Sequence, residues 1–113
     1  MIAAPDESLW VGILRVVLHF PDARSRKDKR KVISKLRDRF RSRYNLSVAE
    51  IGHLETYRQG VFAAAMIGND AKSIRSFLDS RENEIYSLVD ARVEDTSITL
   101  NKFDPNPPRI RHD

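Results

Sequence analysis

The sequence predicts an α+β fold in which one antiparallel sheet carries two helices on a single face. Four segments have the apolar pattern of strands, and two others repeat apolar residues at helical spacing. These segments follow one another in the order βαββαβ. With 113 residues, 41% of them hydrophobic and 32% charged, the chain has the size and balance of one globular domain.

The first predicted strand covers residues 9–20. Its even positions are apolar from Trp10 to Phe20 apart from Gly12, and its odd positions mix apolar residues with Arg15 and His19. A strand that is apolar on one face and half apolar on the other is typical of the middle of a sheet. Pro21 ends it.

A first helix is predicted to open at Ser25, with Asp28 three residues later as a short capping box. One apolar stripe is predicted to face the core: Val32, Ile33, Leu36, Phe40 and Tyr44. Asn45 is the predicted C-cap.

The second half of the chain predicts a hairpin, a second helix and an edge strand. Residues 46–54 and 60–67 are predicted strands joined by the loop 55–59, and Asn69 or Asp70 caps the next helix. That helix has its own apolar stripe: Ile74, Phe77, Leu78, Ile85, Leu88 and Val89. Residues 92–100 alternate imperfectly, which indicates a bulged edge strand.

Right-handed crossovers in this order give a ferredoxin-like sandwich with sheet order 4-1-3-2. The domain is predicted to span residues 9–103. Residues 1–8 and the proline-rich residues 104–113 are predicted tails.

Positive charge is concentrated in one part of the sequence. Residues 24–43 hold eleven Lys or Arg and two Asp, a net charge of +9, whereas the rest of the chain carries −5. A polyanion is a favourable partner for such a helix, because each phosphate contact releases condensed counterions. The alternative is an ordinary solvated helix face, although a solvated face normally mixes the two signs.

Binding of an anionic partner is predicted for the first helix, the residues before it and the hairpin loop. The predicted contacts are Arg24, Ser25, Arg26, Lys27, Arg30, Lys31, Lys35, Arg37, Arg41 and Arg58. The free N–H groups at the start of the helix form a natural anion site. Asp28 supplies a carboxylate there, so capping by the chain itself remains an equal alternative. Tyr57 and Arg58 are suited to stacking on a base or pairing with a phosphate, and an ordinary exposed loop is the other reading.

The sheet face without helices is predicted to be half apolar. Val11, Ile13 and Val17 lie on it, and no aromatic residue accompanies them in the two central strands. Base stacking of the RNA-recognition-motif kind is therefore not expected. Packing against a second copy of the chain is predicted instead, with these three residues in the interface.

Several classes of function are excluded or disfavoured. The chain has no cysteine, which excludes disulfides, thiolate metal sites and cysteine nucleophiles. His53, Glu50 and Glu55 form the one local cluster of metal-ligating residue types, and no nucleotide or hydrolase motif is present. We predict no catalytic residues, metal, cofactor or small-molecule substrate. Without a secretory signal or a bilayer-length apolar segment, a cytoplasmic protein without membrane contact is expected.

Three segments of the chain resemble the YlxP-like family of small bacterial proteins, a domain of unknown function. They are VGILRV at 11–16, ARSRKDKR at 23–30 and NLSVAEI at 45–51. The resemblance covers residues 10–101 and departs from the family pattern at 54–58, where a Trp-Gln-Arg-like segment is usual. It implies a ferredoxin-like fold in the bacterial cytoplasm. Members are often encoded beside ribosome-binding factor A, which implies a connection with ribosomal RNA.

Two functional hypotheses follow. The first is a non-catalytic protein that binds RNA or the ribosome through its first helix. The second is a homo-oligomeric interaction module that uses the open sheet face, with the basic helix contacting an acidic protein.

Overall fold

The computed structural model describes residues 3–88 and 90–104. Six elements follow one another in the predicted order: β1 (Leu9–His19), α1 (Arg26–Tyr44), β2 (Ser47–Gly52), β3 (Gln59–Gly68), α2 (Ala71–Leu88) and β4 (Arg92–Phe103). Residues 105–113, most of the predicted C-terminal tail, lie outside the described residues. Neither helix combines the length and the apolarity needed to cross a membrane.

The four strands form one sheet in the order β2-β3-β1-β4, which is 4-1-3-2 counted from the other edge. β1 pairs antiparallel with both β3 and β4, and β2 pairs antiparallel with β3. The α+β class and the open antiparallel sheet are therefore confirmed. β1 and β3 are the central strands, as their apolar sequences indicated.

The core lies between the helices and one face of the sheet. The even positions of β1 face it, and Leu14, Val16 and Leu18 are fully buried. The closest approach of helix to sheet is at Gly12, where an added Cβ would lie 2.3 Å from Cγ2 of Ile74 in α2. A glycine is required there because α2 packs directly on the backbone of β1.

Both ends of α1 and the N-terminus of α2 follow the chemistry indicated by the sequence. Ser25 Oγ accepts a hydrogen bond from the backbone N–H of Asp28 at 3.2 Å. Asn45 has a left-handed φ of 53°, and its N–H donates to the carbonyl of Arg41. Asp70 caps α2 by accepting from the N–H of Ser73 at 3.0 Å.

Two strand boundaries differ from the prediction by more than one residue. β2 ends at Gly52 instead of residue 54, because a bulge lies between Glu50 and Gly52 and His53 has a positive φ of 55°. The hairpin loop therefore covers residues 53–58. β4 continues to Phe103, and its predicted bulge is present: Val17 pairs with Asp95 and Leu18 with Val93, which leaves Glu94 as the extra residue.

Candidate functional site

Helix α1 has one buried side and one cationic side. Ile33, Leu36 and Phe40 lie in the core, whereas Lys27, Arg30, Lys31 and Lys35 are exposed. This arrangement follows from the helical repeat, which places residues three and four positions apart on the same side.

Some cations of α1 are already paired with carboxylates of the chain. Arg26 Nη1 lies 2.7 Å from Glu55 Oε2 in the hairpin loop, and Arg39 Nε lies 2.7 Å from Glu84 Oε1 in α2. Arg37 is half-buried; its guanidinium donates to Ser34 Oγ and lies 3.9 Å from Asp38. The charges of the predicted contacts Arg26 and Arg37 are therefore partly used within the fold.

The other exposed cations have no such partner. Among residues 3–88 and 90–104, no carboxylate oxygen lies within 4.0 Å of a side-chain nitrogen of Arg24, Lys27, Arg30, Lys31, Lys35, Arg41 or Arg43. Lys27, Lys31 and Lys35 follow one another at four-residue spacing, about 6 Å apart along the axis. We call these three residues the lysine row. Like charges at this spacing destabilise a helix, so the row is not explained by the stability of α1.

Arg41 is exposed, as its predicted position on the outer face requires, and it also forms a hydrogen bond within the fold. Its Nη2 donates to the backbone carbonyl of Val48 in β2 at 2.9 Å. α1 packs against the edge strand β2, so the long side chain of Arg41 reaches this carbonyl.

The start of α1 is capped by the chain itself. Ser25 takes the N–H of Asp28, and the Asp28 carboxylate accepts from the N–H of Arg24 at 2.9 Å. Two interpretations of this segment were open, an anion site and capping by the chain itself, and the hydrogen bonds support capping. Ser25 is thus a structural residue at this site.

A buried cation, Lys29, lies on the inner side of α1. Lys29 is only 3% exposed, and its Nζ donates to the carbonyls of His53 at 2.8 Å and Gln59 at 3.1 Å. The same Nζ lies 3.3 Å from Glu50 Oε2. Lys29 thus ties the first turns of α1 to the hairpin. The sequence prediction counted Lys29 with the basic run, although its spacing of four and seven residues from Ile33 and Leu36 places it on the apolar stripe.

The hairpin loop between β2 and β3 has a fixed shape. The N–H and the hydroxyl of Thr56 both donate to the carbonyl of His53, and the N–H of Phe20 donates to the carbonyl of Arg58 at 2.8 Å. Tyr57 is 37% exposed, and the Arg58 guanidinium carbon lies 5.6 Å from the centre of its ring. The loop therefore presents an aromatic ring and a cation at the end of the molecule where α1 begins.

The two helices are joined by a polar cluster around Glu84. Its carboxylate accepts from Tyr44 Oη and Arg39 Nε, each at 2.7 Å, and lies 3.2 Å from Arg81 Nε. Burial alone would raise the pKa of Glu84, but the hydrogen bonds from Tyr44 and Arg39, with the charges of Arg39 and Arg81, lower it below the usual range. Arg39 is therefore a structural cation that joins α1 to α2.

Within residues 3–88 and 90–104, no helix or strand covers the sheet face opposite the helices. Val11, Ile13 and Val17 are half-buried there, and Ile67 on the neighbouring strand is 69% exposed. Arg15, in the same face, pairs with Asp95 of β4 at 3.5 Å. The predicted interface residues are thus placed together on one face, and the interface itself stays a prediction.

Within residues 3–88 and 90–104, no three His, Asp or Glu side chains are grouped closely enough to hold a metal ion. His53 lies in the loop with its carbonyl turned to Lys29, whereas Glu50 in β2 reaches the same Nζ with its carboxylate. The local cluster considered in the sequence is therefore organised around an ammonium group.

Fold and site together define a small α+β sandwich whose main unpaired charge is a row of lysines on its first helix. The family model "Protein of unknown function (DUF503)" matches residues 11–98. The chain belongs to this family.

Comparison with solved structures finds distant likenesses. The designed protein Foldit4 is 12% identical with a TM-score of 0.47, over 87% of this chain and 99% of the other. SnoaB, a cofactor-independent oxygenase from Streptomyces nogalater, is 10% identical with a TM-score of 0.39, over 90% and 97%. Neither likeness bears on the function at these values. No curated protein matches the chain.

Proposed function

We propose that this protein binds RNA without catalysing a reaction, and that the lysine row is the centre of its contact surface. The observation that supports this most is the lysine row itself, with three exposed ammonium groups and no carboxylate partner among the described residues. Arg24, Arg30 and Arg43 are further exposed cations in and beside α1. Phosphates supply the missing counter-charges, and their binding is favoured further by the release of counterions.

The contacts are expected to be mainly with the phosphate backbone. The central strands offer Val11, Ile13 and Ala65 on the uncovered face, where a sheet that stacks bases would have aromatic rings. Phosphate contacts position a protein without reading sequence, so a weak sequence preference follows. We further assign the chain to the YlxP-like members of its family and to the bacterial cytoplasm. That resemblance favours ribosomal RNA, or the ribosome, as the natural partner.

The test is charge reversal of the lysine row. The variant Lys27→Glu/Lys31→Glu/Lys35→Glu should bind a labelled single-stranded RNA at least about tenfold more weakly, because roughly three phosphate contacts are lost. Wild-type protein with three to five such contacts should show a log–log salt slope of about −2 to −3.5. Arg41 is left unchanged because of its hydrogen bond to Val48.

A matched control separates position from net charge. It reverses three exposed cations on other elements, at the same cost in net charge: Lys72, Arg75 and Lys102. The control should keep most of the RNA affinity, and both variants should retain the circular dichroism spectrum of the wild type. Equal losses in the two variants would show that net charge alone governs binding and would refute a defined contact surface.

The alternative function is a homo-oligomeric interaction module. It is favoured by the exposure of Ile67 next to Val11, Ile13 and Val17 on the uncovered face, since exposed apolar patches commonly mark protein contacts. In this case the basic helix meets an acidic protein. Wild-type protein that binds no RNA at low salt, and has twice the monomer mass by light scattering, would replace the first proposal with this one.

A further inference from the structure

A cleft at the hairpin end of the sheet combines an aromatic ring with several polar groups. It has a volume of about 510 Å³, and its walls include Tyr57 and Arg58 from the loop and His19, Arg92 and Glu94 from the ends of β1 and β4. We call it the loop pocket. It lies at the hairpin end of the uncovered face, outside the core.

The β4 bulge shapes one wall of the loop pocket. Glu94 is the extra residue of the bulge, and its carboxylate lies 3.6 Å from His19 Nδ1 and 3.7 Å from Arg92 Nη2. Bulges turn a side chain away from the regular alternation of a strand and are common beside functional sites. Here the bulge gathers an anion, an imidazole and a guanidinium on one wall. Tyr57 belongs to the loop that forms the other wall.

We propose that the loop pocket binds an unpaired nucleotide of the RNA, with the base stacked on Tyr57. This inference rests on the proposed function. Every base has a π-face, so an exposed tyrosine ring accepts bases without strong sequence preference. Arg58 is a cation without a carboxylate partner among the described residues and is available to the attached phosphate; Arg92 reaches the phosphate by exchanging its contact with Glu94, which leaves Glu94 as an acceptor for a base N–H.

The loop is prepared for such a ligand before binding. Lys29 holds the carbonyls at both ends of the loop, His53 and Gln59, and Thr56 closes it from within. A ligand that binds a loop already ordered loses less entropy, so more of the stacking energy appears as affinity.

The loop pocket and the lysine row can act on one RNA molecule. Arg26 in the first turn of α1 is paired with Glu55 in the loop, and Lys27 follows Arg26 directly. A strand whose phosphates meet the lysine row therefore passes close to Tyr57. Duplex RNA has no free base to offer, so the pocket should favour single-stranded over double-stranded RNA.

The experiment compares single-stranded and duplex RNA of equal length by fluorescence anisotropy. Tyr57→Ala should weaken single-strand binding about fivefold or more and leave duplex binding unchanged. Its salt slope should equal that of the wild type, because no phosphate contact is removed. Tyr57→Phe keeps the ring and should bind like the wild type.

Arg92→Ala provides a second variant that does not depend on Tyr57. It should reduce the single-strand salt slope by about 0.7, the value of one lost phosphate contact. Titration of wild-type protein with uridine monophosphate should also shift the NMR signals of Tyr57 and His19.

The two proposals fail in different ways. If wild-type protein binds neither RNA, the proposed function is wrong. If it binds both RNAs, and Tyr57→Ala and Arg92→Ala bind single strands like the wild type, the loop pocket is not a nucleotide site while the lysine row stands. A loss in Tyr57→Ala that is equal for single strands and duplex also overturns the pocket.

Discussion

Replacing Lys29 by Met tests how the hairpin is held on α1. Methionine has nearly the same length and fills the same apolar space, so the substitution removes the ammonium group without opening a large cavity. It leaves Glu50 without its cation and removes one donor from each of the carbonyls of His53 and Gln59.

The expected loss is about 2–3 kcal/mol of unfolding free energy. Removing one partner of a fully buried ion pair costs about 3–5 kcal/mol. The Glu50 side chain is 26% exposed as a whole, although the Oε2 that faces Lys29 is buried, so solvation of the rest of the carboxylate offsets only part of the loss. The Thr56 N–H still donates to the carbonyl of His53, and the one hydroxyl proton of Thr56 is within reach of either carbonyl. The loss for Lys29→Met is therefore expected at the lower end of the range for fully buried ion pairs, or slightly below it.

Urea unfolding measures this loss directly. With an m-value of about 1.5 kcal/mol/M, the midpoint should fall by about 1–2 M. Lys27→Met, an exposed lysine on the same helix, should change stability by less than about 0.5 kcal/mol. The loss of stability in the double variant Lys29→Met/Glu50→Gln should be smaller than the sum of the losses in the two single variants, by about 1 kcal/mol or more. A loss below about 0.5 kcal/mol for Lys29→Met would refute this account, since it would mean that the buried ammonium contributes nothing net to the fold.

Two further predictions concern the packing and the acid stability of the sandwich. Gly12→Ala should lower the unfolding free energy measured in urea by about 1–3 kcal/mol, because the added Cβ would lie 2.3 Å from Ile74. In Gly68→Ala the added Cβ would lie 3.2 Å from the same side chain, so the loss should be clearly smaller. Equal losses in the two variants would contradict the close contact at Gly12. Because the pKa of Glu84 is lower in the folded state than in the unfolded state, its ionised carboxylate stabilises the fold. This contribution is complete at pH values above the unfolded-state pKa, ordinarily 4.5, and is lost as the pH falls through the folded-state pKa. Glu84→Gln should therefore lower the melting temperature at neutral pH and flatten its acid dependence, and parallel melting curves for the two proteins would contradict the assignment.

The fold was predictable because local signals and the global arrangement agree. The alternation in β1, the stripe of α1 and the capping residues Ser25 and Asn45 each depend on neighbours in sequence. With the element order, they determine the sheet topology through general rules of connection. The predicted end of β2 was wrong because the bulge and the positive φ of His53 depend on the contacts of the hairpin with α1.

The candidate site was only partly predictable for a related reason. The exposed positions of Lys27, Lys31 and Lys35 follow from the helical repeat alone. The pairing of a cation depends on residues distant in sequence, as with Arg26 and Glu55, or Arg41 and Val48. Composition counts such residues equally, whereas the fold separates cations with internal partners from those without.

The hydrogen bond from Arg41 to the Val48 carbonyl has a consequence for self-association. β2 is an edge strand, and an unpaired edge is a template on which another chain can add a strand. Arg41 occupies one of the carbonyls that such an added strand would need, and the bulge after Glu50 distorts the next part of the same edge. With only six residues in β2, little regular edge remains for pairing. The most basic element of the molecule thus also protects the β2 edge of the sheet against edge-to-edge pairing.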